Sequence, residues 1–529
     1  MLNKFAIYGV LGVLILSSCA QIVNPTGGER DLTPPEILNT SPKNKSTNFS
    51  KSTIQIKFNE FIQLNNPGEQ IIISPPLENK PEFINKGRLL EIKFKEGLLP
   101  NTTYTINFGN AIGDNKENNL VKDFVYVFST GDVIDSNYLA GKIDNAFTNQ
   151  PESGITVGLY HTEGFNDSTI IKSKPIYMSK TNENGLFSIN NLPTDNFNII
   201  AFKDENKNLK KEVNEAVAFL PTAVNSADSN NIDLVLKIFK PNLYKPGRVI
   251  DTFNREPDKF VFVVYQPTYV NIKPVNNNKS YLKHVKGNQG IDTFYVFTST
   301  QKSDSIIKFN ALINNNNTEL VVRQKVIYKQ SKPTFTITKQ LELNDTIKIN
   351  FTNPLLKIDT TRIKLFKDSL NINYKLLKVN DFELNIVYQW DEKTTYKLSI
   401  KDSAFIDYYN QYSKQEKVVY AMKAKKDYAN LVLHVKVPKN ITHAYLLQLL
   451  GSDEKTVYYQ FNITKNQDIN LENVLPGVYK VKYIYDTNNN GIWDNGDINT
   501  NTQPEKVKYL NQNLTLKAYW DLEQSVLIE

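Results

Sequence analysis

The sequence predicts an all-β chain built as a tandem array of β-sandwiches, and three features of its 529 residues carry that prediction. Apolar residues recur at period two along most of the chain, which sets one side of each segment on a core and the other toward water. Turn signals rich in Pro, Asn and Gly arrive every 8 to 15 residues, the spacing expected of sandwiches. No stretch of 12 or more residues carries a convincing helical period. At about 100 to 200 residues per domain, this length corresponds to about three to five domains. With 40% hydrophobic residues, 28 Tyr and 28 Phe there is side chain enough for several cores, while 22 Gly and 23 Pro exclude collagen-like and elastic polymers.

In chain order, the first element stands outside any sandwich. Met1 to Lys4 is a positive stretch, Phe5 to Leu16 is a twelve-residue apolar run, and Leu16-Ser17-Ser18-Cys19 follows at once. Such a run is too short for a helix to cross a bilayer core of about 30 Å. The segment resembles a bacterial lipoprotein signal peptide. That resemblance implies cleavage before Cys19, a covalent lipid on its thiol and acylation of the new amine, so that a membrane becomes a partner through the anchor. An ordinary signal peptide with an incidental Cys is the plainer alternative. No later segment reaches about 18 consecutive apolar residues. Residues 19–33, with Pro25, Gly27 and Gly28, read as a tether. Ala20, where Gram-negative retention uses Asp, favours the outer membrane by resemblance, and the leaflet, periplasmic or cell-surface, stays open.

The sandwiches follow. Ile54-Gln-Ile56-Lys-Phe58, Leu90-Glu-Ile92-Lys-Phe94, Tyr104-Thr-Ile106-Asn-Phe108 and Val125-Tyr-Val127 are half-buried strands of a domain over 34–131. Their counterparts recur as Ile347-Lys-Ile349-Asn-Phe351, Leu384-Asn-Ile386-Val-Tyr388 and Thr395-Tyr396-Lys-Leu398, and Ala111-Ile112-Gly-Asp114 recurs as Ala404-Phe405-Ile-Asp407. A second copy over 332–426 is therefore expected. The Pro-Pro start, the Ile-x-Ile-x-Phe-x-Glu strand and Leu99-Pro-Asn-Thr-Thr-Tyr-Thr-Ile106 resemble the bacterial Ig-like domain of S-layer and cell-surface proteins, which implies a sandwich of about 100 residues.

A different unit follows each copy. Ile155-Thr-Val157-Gly-Leu159, then Thr181-Asn-Glu-Asn184-Gly185-Leu-Phe187-Ser-Ile189 with Leu192-Pro193, resemble the carboxypeptidase regulatory-like, transthyretin-type sandwich, over 132–241. Asn184-Gly185 is a tight-turn signal, since both residue types tolerate positive φ. Leu475-Pro476-Gly477-Val478-Tyr479-Lys-Val481 repeats the Leu-Pro and its strand within 427–529, and 242–331 is a spacer sandwich signalled by Phe260, Phe262 and Val264. Tyr445 to Leu450 is apolar at every position but Gln448 and fits a buried strand somewhat better than a helix.

Two loops hold the candidate site residues. Asp486, Asn488, Asn490, Asp494 and Asp497 occupy positions 1, 3, 5, 9 and 12 around Gly491, with the Ile492 carbonyl at position 7, which is the ligand spacing of an EF-hand-type Ca²⁺ loop. An all-oxygen set of this kind suits a hard cation. Asp497 replaces the usual Glu, and the loop is entered from a strand. The weaker candidate is Asp204, Asn206, Asn208, Glu212 and Glu215, where Leu209 replaces the Gly and lysines crowd the loop. A structural Ca²⁺ ion is the expected cofactor; a solvated Asn/Asp/Gly hairpin loop fits the same residues.

Chemistry beyond that is sparsely supplied. One Cys and four His exclude disulfide frameworks and multi-Cys zinc sites, and no nucleophile elbow, His-Glu-x-x-His or phosphate loop is present. The charges, 62 basic against 55 acidic, are interspersed with no dense basic stripe, so nucleic acid is not an expected partner. The expectation is a non-enzymatic, lipid-anchored envelope protein acting as a structural, adhesion or binding scaffold for an unidentified protein or glycan. Its rival is a carbohydrate-binding accessory lipoprotein for glycan capture, with Trp390, Trp493, Trp520 and the many Tyr as stacking platforms.

Overall fold

A computed structural model describes residues 30–529 apart from 123, 167, 229–232, 243, 257, 277–278, 288–289, 300–305 and 324–333. Cys19, the signal segment and most of the tether lie outside the described residues. The fold is all-β. Among the described residues α-helix is limited to two single turns, Pro67–Gln70 and Thr169–Lys172. In the first, Pro67 opens the helix, where its missing N–H is not needed, and Asn66 turns the chain at φ 43°.

Period two translates directly into burial. In Thr53–Phe58, Ile54, Ile56 and Phe58 are fully buried while Gln55 and Lys57 face water. This strand lies in an antiparallel sheet whose neighbours run Ile37–Ser41, Thr53–Phe58, Leu89–Lys93, Glu82–Asn85. Across the core stands Ile72–Ser74, Thr103–Asn107, Val125–Ser129, and Ile62–Leu64 pairs with Ile112–Asp114. The same strand order recurs as Phe335–Ile337, Ile347–Phe351, Glu383–Val387, Lys375–Asn380 opposite Ile363–Lys367, Thr395–Ile400, Glu416–Ala421, with one added edge strand, Leu370–Ile372. Leu355–Ile358 pairs with Phe405–Asp407 at the equivalent place.

The internal repeat extends to hydrogen bonds between side chain and backbone. The Tyr104 hydroxyl accepts from the Leu99 N–H at 2.9 Å, and the Tyr396 hydroxyl accepts from the Asp391 N–H at 3.0 Å. Tyr126 donates to the Pro42 carbonyl at 2.8 Å, as Tyr420 does to Thr338 at 2.7 Å. Each pair closes the sandwich end with a buried ring whose polar tip is satisfied.

The second motif also occurs twice. Leu186–Leu192, Asn137–Asn145, Leu234–Ile238 face Tyr177–Lys180, Thr156–His161, Asn196–Phe202, Val217–Phe219. In the C-terminal region Gln467–Val474, Ala429–Lys436, Asp521–Leu527 face Val457–Ile463, Ala444–Leu450, Gly477–Asp486, Val507–Tyr509. Ala444–Leu450 is buried at every position, which is why its sequence shows no alternation. The tight turn expected at Asn184-Gly185 is present, closed by the Gly185 N–H on the Asn182 carbonyl; of the two residues only Gly185 has positive φ, and the turn links strands of different sheets.

Between the motifs, Val249–Glu256, Lys259–Tyr265, Ile291–Phe297, Tyr281–Val285 face Val270–Pro274, Ile306–Ile313, Asn316–Arg323 around Phe260, Phe262 and Phe309. The chain forms two compact units. One comprises the described residues through Ile143 with Pro151–Glu212 and Ala218–Leu236; the other comprises Asp144–Gln150, Val213–Val217 and Lys237–Glu529.

Candidate functional site: two acidic loops on one template

Both loops leave the end of a central strand and fold the same way. Asp486 Oδ1 accepts from the Asn490 N–H at 2.9 Å and Oδ2 from Gly491 at 2.8 Å; Asn488 Oδ1 accepts from Asn490, and Asn490 Oδ1 from Ile492. In the other loop Asp204 Oδ1 accepts from Asn208 and Oδ2 from Leu209, both at 3.0 Å, Asn206 Oδ1 from Asn208, and Asn208 Oδ1 from Lys210. Positive φ falls at the fourth and sixth positions of each, Asn489 and Gly491, then Lys207 and Leu209. The two loops therefore share one backbone template, although Leu209 replaces glycine in a left-handed conformation at φ 63°.

The ninth position closes each loop. The amide groups of Asn488 and Asn490 donate to Asp494 Oδ2 at 2.6 and 2.7 Å. Those of Asn206 and Asn208 donate to Glu212 Oε1 at 3.3 and 3.0 Å. Two N–H dipoles thus converge on one carboxylate, where a cation would also be favourable. Asp497 does not join this group: it accepts from the backbone and side-chain N–H of Asn499 and caps the short turn Ile498–Thr500. Glu215 is a buried residue just before the strand Val217–Phe219. Among the described residues no three His, Cys, Asp or Glu side chains gather closely enough to hold a metal ion. The donor set that remains at the C-terminal loop, two carboxylates, two amides and the Ile492 carbonyl, suits a hard cation in kind, but Asn488 and Asn490 turn N–H groups to Asp494 and their oxygens to backbone N–H groups.

Sequence reasoning missed Glu505. It is buried and accepts from Thr487 N–H at 2.7 Å, Thr487 hydroxyl at 2.8 Å and Asp494 N–H at 3.1 Å, bracing the loop from behind. Burial pushes its carboxyl above the usual range, against the pull of those donors. A second missed feature lies alongside. Phe147, on the hairpin Asp144–Gln150, packs edge-on to Trp493 at 4.9 Å and lies 3.8 Å from the Lys482 ammonium, while Asn149 donates to the Val507 carbonyl at 2.8 Å. No local pattern could signal contacts between residues so far apart in sequence.

Three histidines meet carboxylates: His161 with Asp195 at 3.2 Å, His284 with Asp292 at 2.6 Å, and His434 with Asp468 at 2.9 Å and Glu523 at 3.4 Å. Among the described residues no hydroxyl or thiol is hydrogen-bonded to any of these three rings, so none forms a nucleophile–base pair.

Residues 31–130 match the bacterial Ig-like domain family. That match covers the first sandwich. No curated protein matches the chain. Similar solved structures include the SGBP-B protein of a Bacteroides ovatus mixed-linkage glucan utilization locus in complex with a mixed-linkage heptasaccharide, at 9% identity over 73% of this chain and 94% of that one, TM-score 0.18. The major pilin subunit BcpA of Bacillus cereus is similar at 11% identity over 74% of this chain and 99% of that one, TM-score 0.14. A chimeric titin Z1Z2 is similar at 9% identity over 32% and 92%, TM-score 0.16.

Proposed function

We propose that this chain is a non-enzymatic, lipid-anchored protein of the bacterial outer membrane that holds out a series of β-sandwiches as a binding scaffold. The observation that carries the reading is positional: a twelve-residue apolar run ends in Leu16-Ser17-Ser18-Cys19, and a bacterial Ig-like sandwich begins only a short tether later, at residue 31. Duplication supports it, since two pairs of topologically matched sandwiches suit display better than they suit assembly of one catalytic cleft. In this reading the domains run 34–131, 132–241, 242–331, 332–426 and 427–529, with the second and fifth of regulatory-like type.

The C-terminal loop takes Ca²⁺ as a structural ion through Asp486, Asn488, Asn490, Asp494 and the Ile492 carbonyl. Both amides turn their N–H groups to Asp494, so an ion that takes their oxygens and that carboxylate replaces those hydrogen bonds, and weak binding of about 10⁻⁴ to 10⁻³ M is expected.

The test treats intact cells with an impermeant protease and blots for the C-terminal domain, with a periplasmic protein as control. Loss of the band while the control survives sets the scaffold on the cell surface. Survival until the outer membrane is broken sets it in the periplasm. Recovery in the cytosolic fraction overturns the proposal.

A further inference from the structure

The unit that ends at Glu529 holds a cleft of about 430 Å³, within the range of about 300–1,000 Å³ typical of small-ligand sites. Three tyrosines line it: Tyr281 from the edge strand Tyr281–Val285, and Tyr408 and Tyr409 from the loop after Phe405–Asp407. Their rings stand edge-to-face, Tyr281 to Tyr408 at 5.7 Å and Tyr408 to Tyr409 at 5.0 Å. Asp258, Lys279, Ser299 and Asn410 supply polar groups of every hydrogen-bonding type.

The internal repeat shows that two of these tyrosines, Tyr408 and Tyr409, are not demanded by the loop that carries them. Asp407 organises the loop by accepting from the N–H groups of Tyr409 and Gln411, at 3.0 and 2.9 Å, and from the Asn353 amide at 2.9 Å. In the first sandwich Asp114 has the same part, accepting from Lys116, Glu117, Asn118 and Asn119 at 2.7–3.1 Å. The tip residue is a left-handed Asn in both, Asn118 at φ 59° and Asn410 at φ 57°. The first loop carries Asn115-Lys116-Glu117, whereas the second carries Tyr408-Tyr409. One scaffold has therefore been given polar residues in one copy and aromatic ones in the other, beside a concavity.

We infer that this cleft binds a neutral saccharide, the pyranose faces lying on the tyrosine rings and the hydroxyls engaging Asp258, Asn410, Ser299 and Lys279. One carboxylate and one ammonium leave the lining near neutral, which disfavours sulfated or uronic glycans. Sugar hydroxyls both donate and accept, so they match a mixed lining, and aromatic rings complement the apolar ring face. The inference rests on the proposed binding role and names its ligand class.

The full chain, purified in detergent, is titrated calorimetrically with neutral gluco-, manno-, xylo- and galacto-oligosaccharides, with sulfated and uronic oligosaccharides as controls. At least one neutral probe binds, and Tyr281→Ala and Asn410→Gly each weaken it about tenfold or more. Asn410→Gly preserves the left-handed backbone, so it decides the matter if Tyr281→Ala fails to fold. Binding by no neutral probe, binding by anionic probes alone, or wild-type affinity in the folded variants overturns the inference. Sugar binding by a chain that is not acylated at Cys19 leaves this site standing and overturns only the anchor.

Discussion

Lys482 lies in the middle of the strand Gly477–Asp486, is 2% exposed, and has the Phe147 ring 3.8 Å from its ammonium. Its cross-strand partner Gln448 keeps a buried, unpaired side-chain oxygen. Desolvation lowers the ammonium pKa from 10.5 to about 8. Between those values the unfolded chain binds more protons than the folded one, so this residue makes stability rise as pH increases from about 8 to 10. Lys482→Met should raise stability near pH 7 by about 1–3 kcal/mol and abolish that part of the pH dependence, read as the difference between wild-type and variant denaturant midpoints across pH 7–10. Asp407 makes the opposite kind of contribution. Buried and engaged by three donors, it should cost about 1–3 kcal/mol when replaced in Asp407→Ala, measured by the same unfolding curves, because those N–H groups lose their acceptor.

Elements were the most legible scale, because alternation reports burial without knowledge of the partner strand. Ile54-Gln-Ile56-Lys-Phe58 and Ile347-Lys-Ile349-Asn-Phe351 declare both the strand and its buried side, and they occupy equivalent places in matching sheets. The Asn184-Gly185 signal located a turn but not its connectivity, since a turn dipeptide fixes backbone dihedrals and says nothing of which sheet each flanking strand joins. At Gly185, φ is 74° and an added Cβ would lie 2.6 Å from the Ile143 carbonyl oxygen. Gly185→Ala should therefore destabilise by about 1–3 kcal/mol, seen as a lower melting temperature with an unchanged far-ultraviolet spectrum below the transition. The acidic loops were half legible. Spacing marked Asp486, Asn488, Asn490 and Asp494, but it also enlisted Asp497, which caps its own turn, and it ranked Leu209 as a departure although that residue adopts the glycine-like conformation. Millimolar Ca²⁺ should raise the melting temperature of the full chain modestly and leave Asp486→Ala unmoved; an equal rise in both would remove the ion from this loop.

At the scale of the whole molecule, the sequence carried composition, repeat and class, but not the contacts that close over long separations. Phe147 against Trp493, Asn149 against Val507 and the cleft shared by Tyr281 and Tyr408 depend on packing that no window of sequence contains. Glu505 escaped notice for the same reason, being an ordinary glutamate until burial set it behind the Asp486 loop. The proposed anchor is the reverse case, expected from Leu16-Ser17-Ser18-Cys19 alone and falling on residues outside those the structure describes. Everything proposed about display at the envelope depends on it. The decisive measurement is mass spectrometry of the N-terminal peptide from membrane-extracted protein, wild type beside Cys19→Ala. A mature chain that begins at Cys19 and carries acyl mass on that residue, with an unprocessed and mislocalised precursor in the variant, is the predicted result. Normal cleavage and membrane attachment in Cys19→Ala, or an unmodified Cys19 in the wild type, would contradict it.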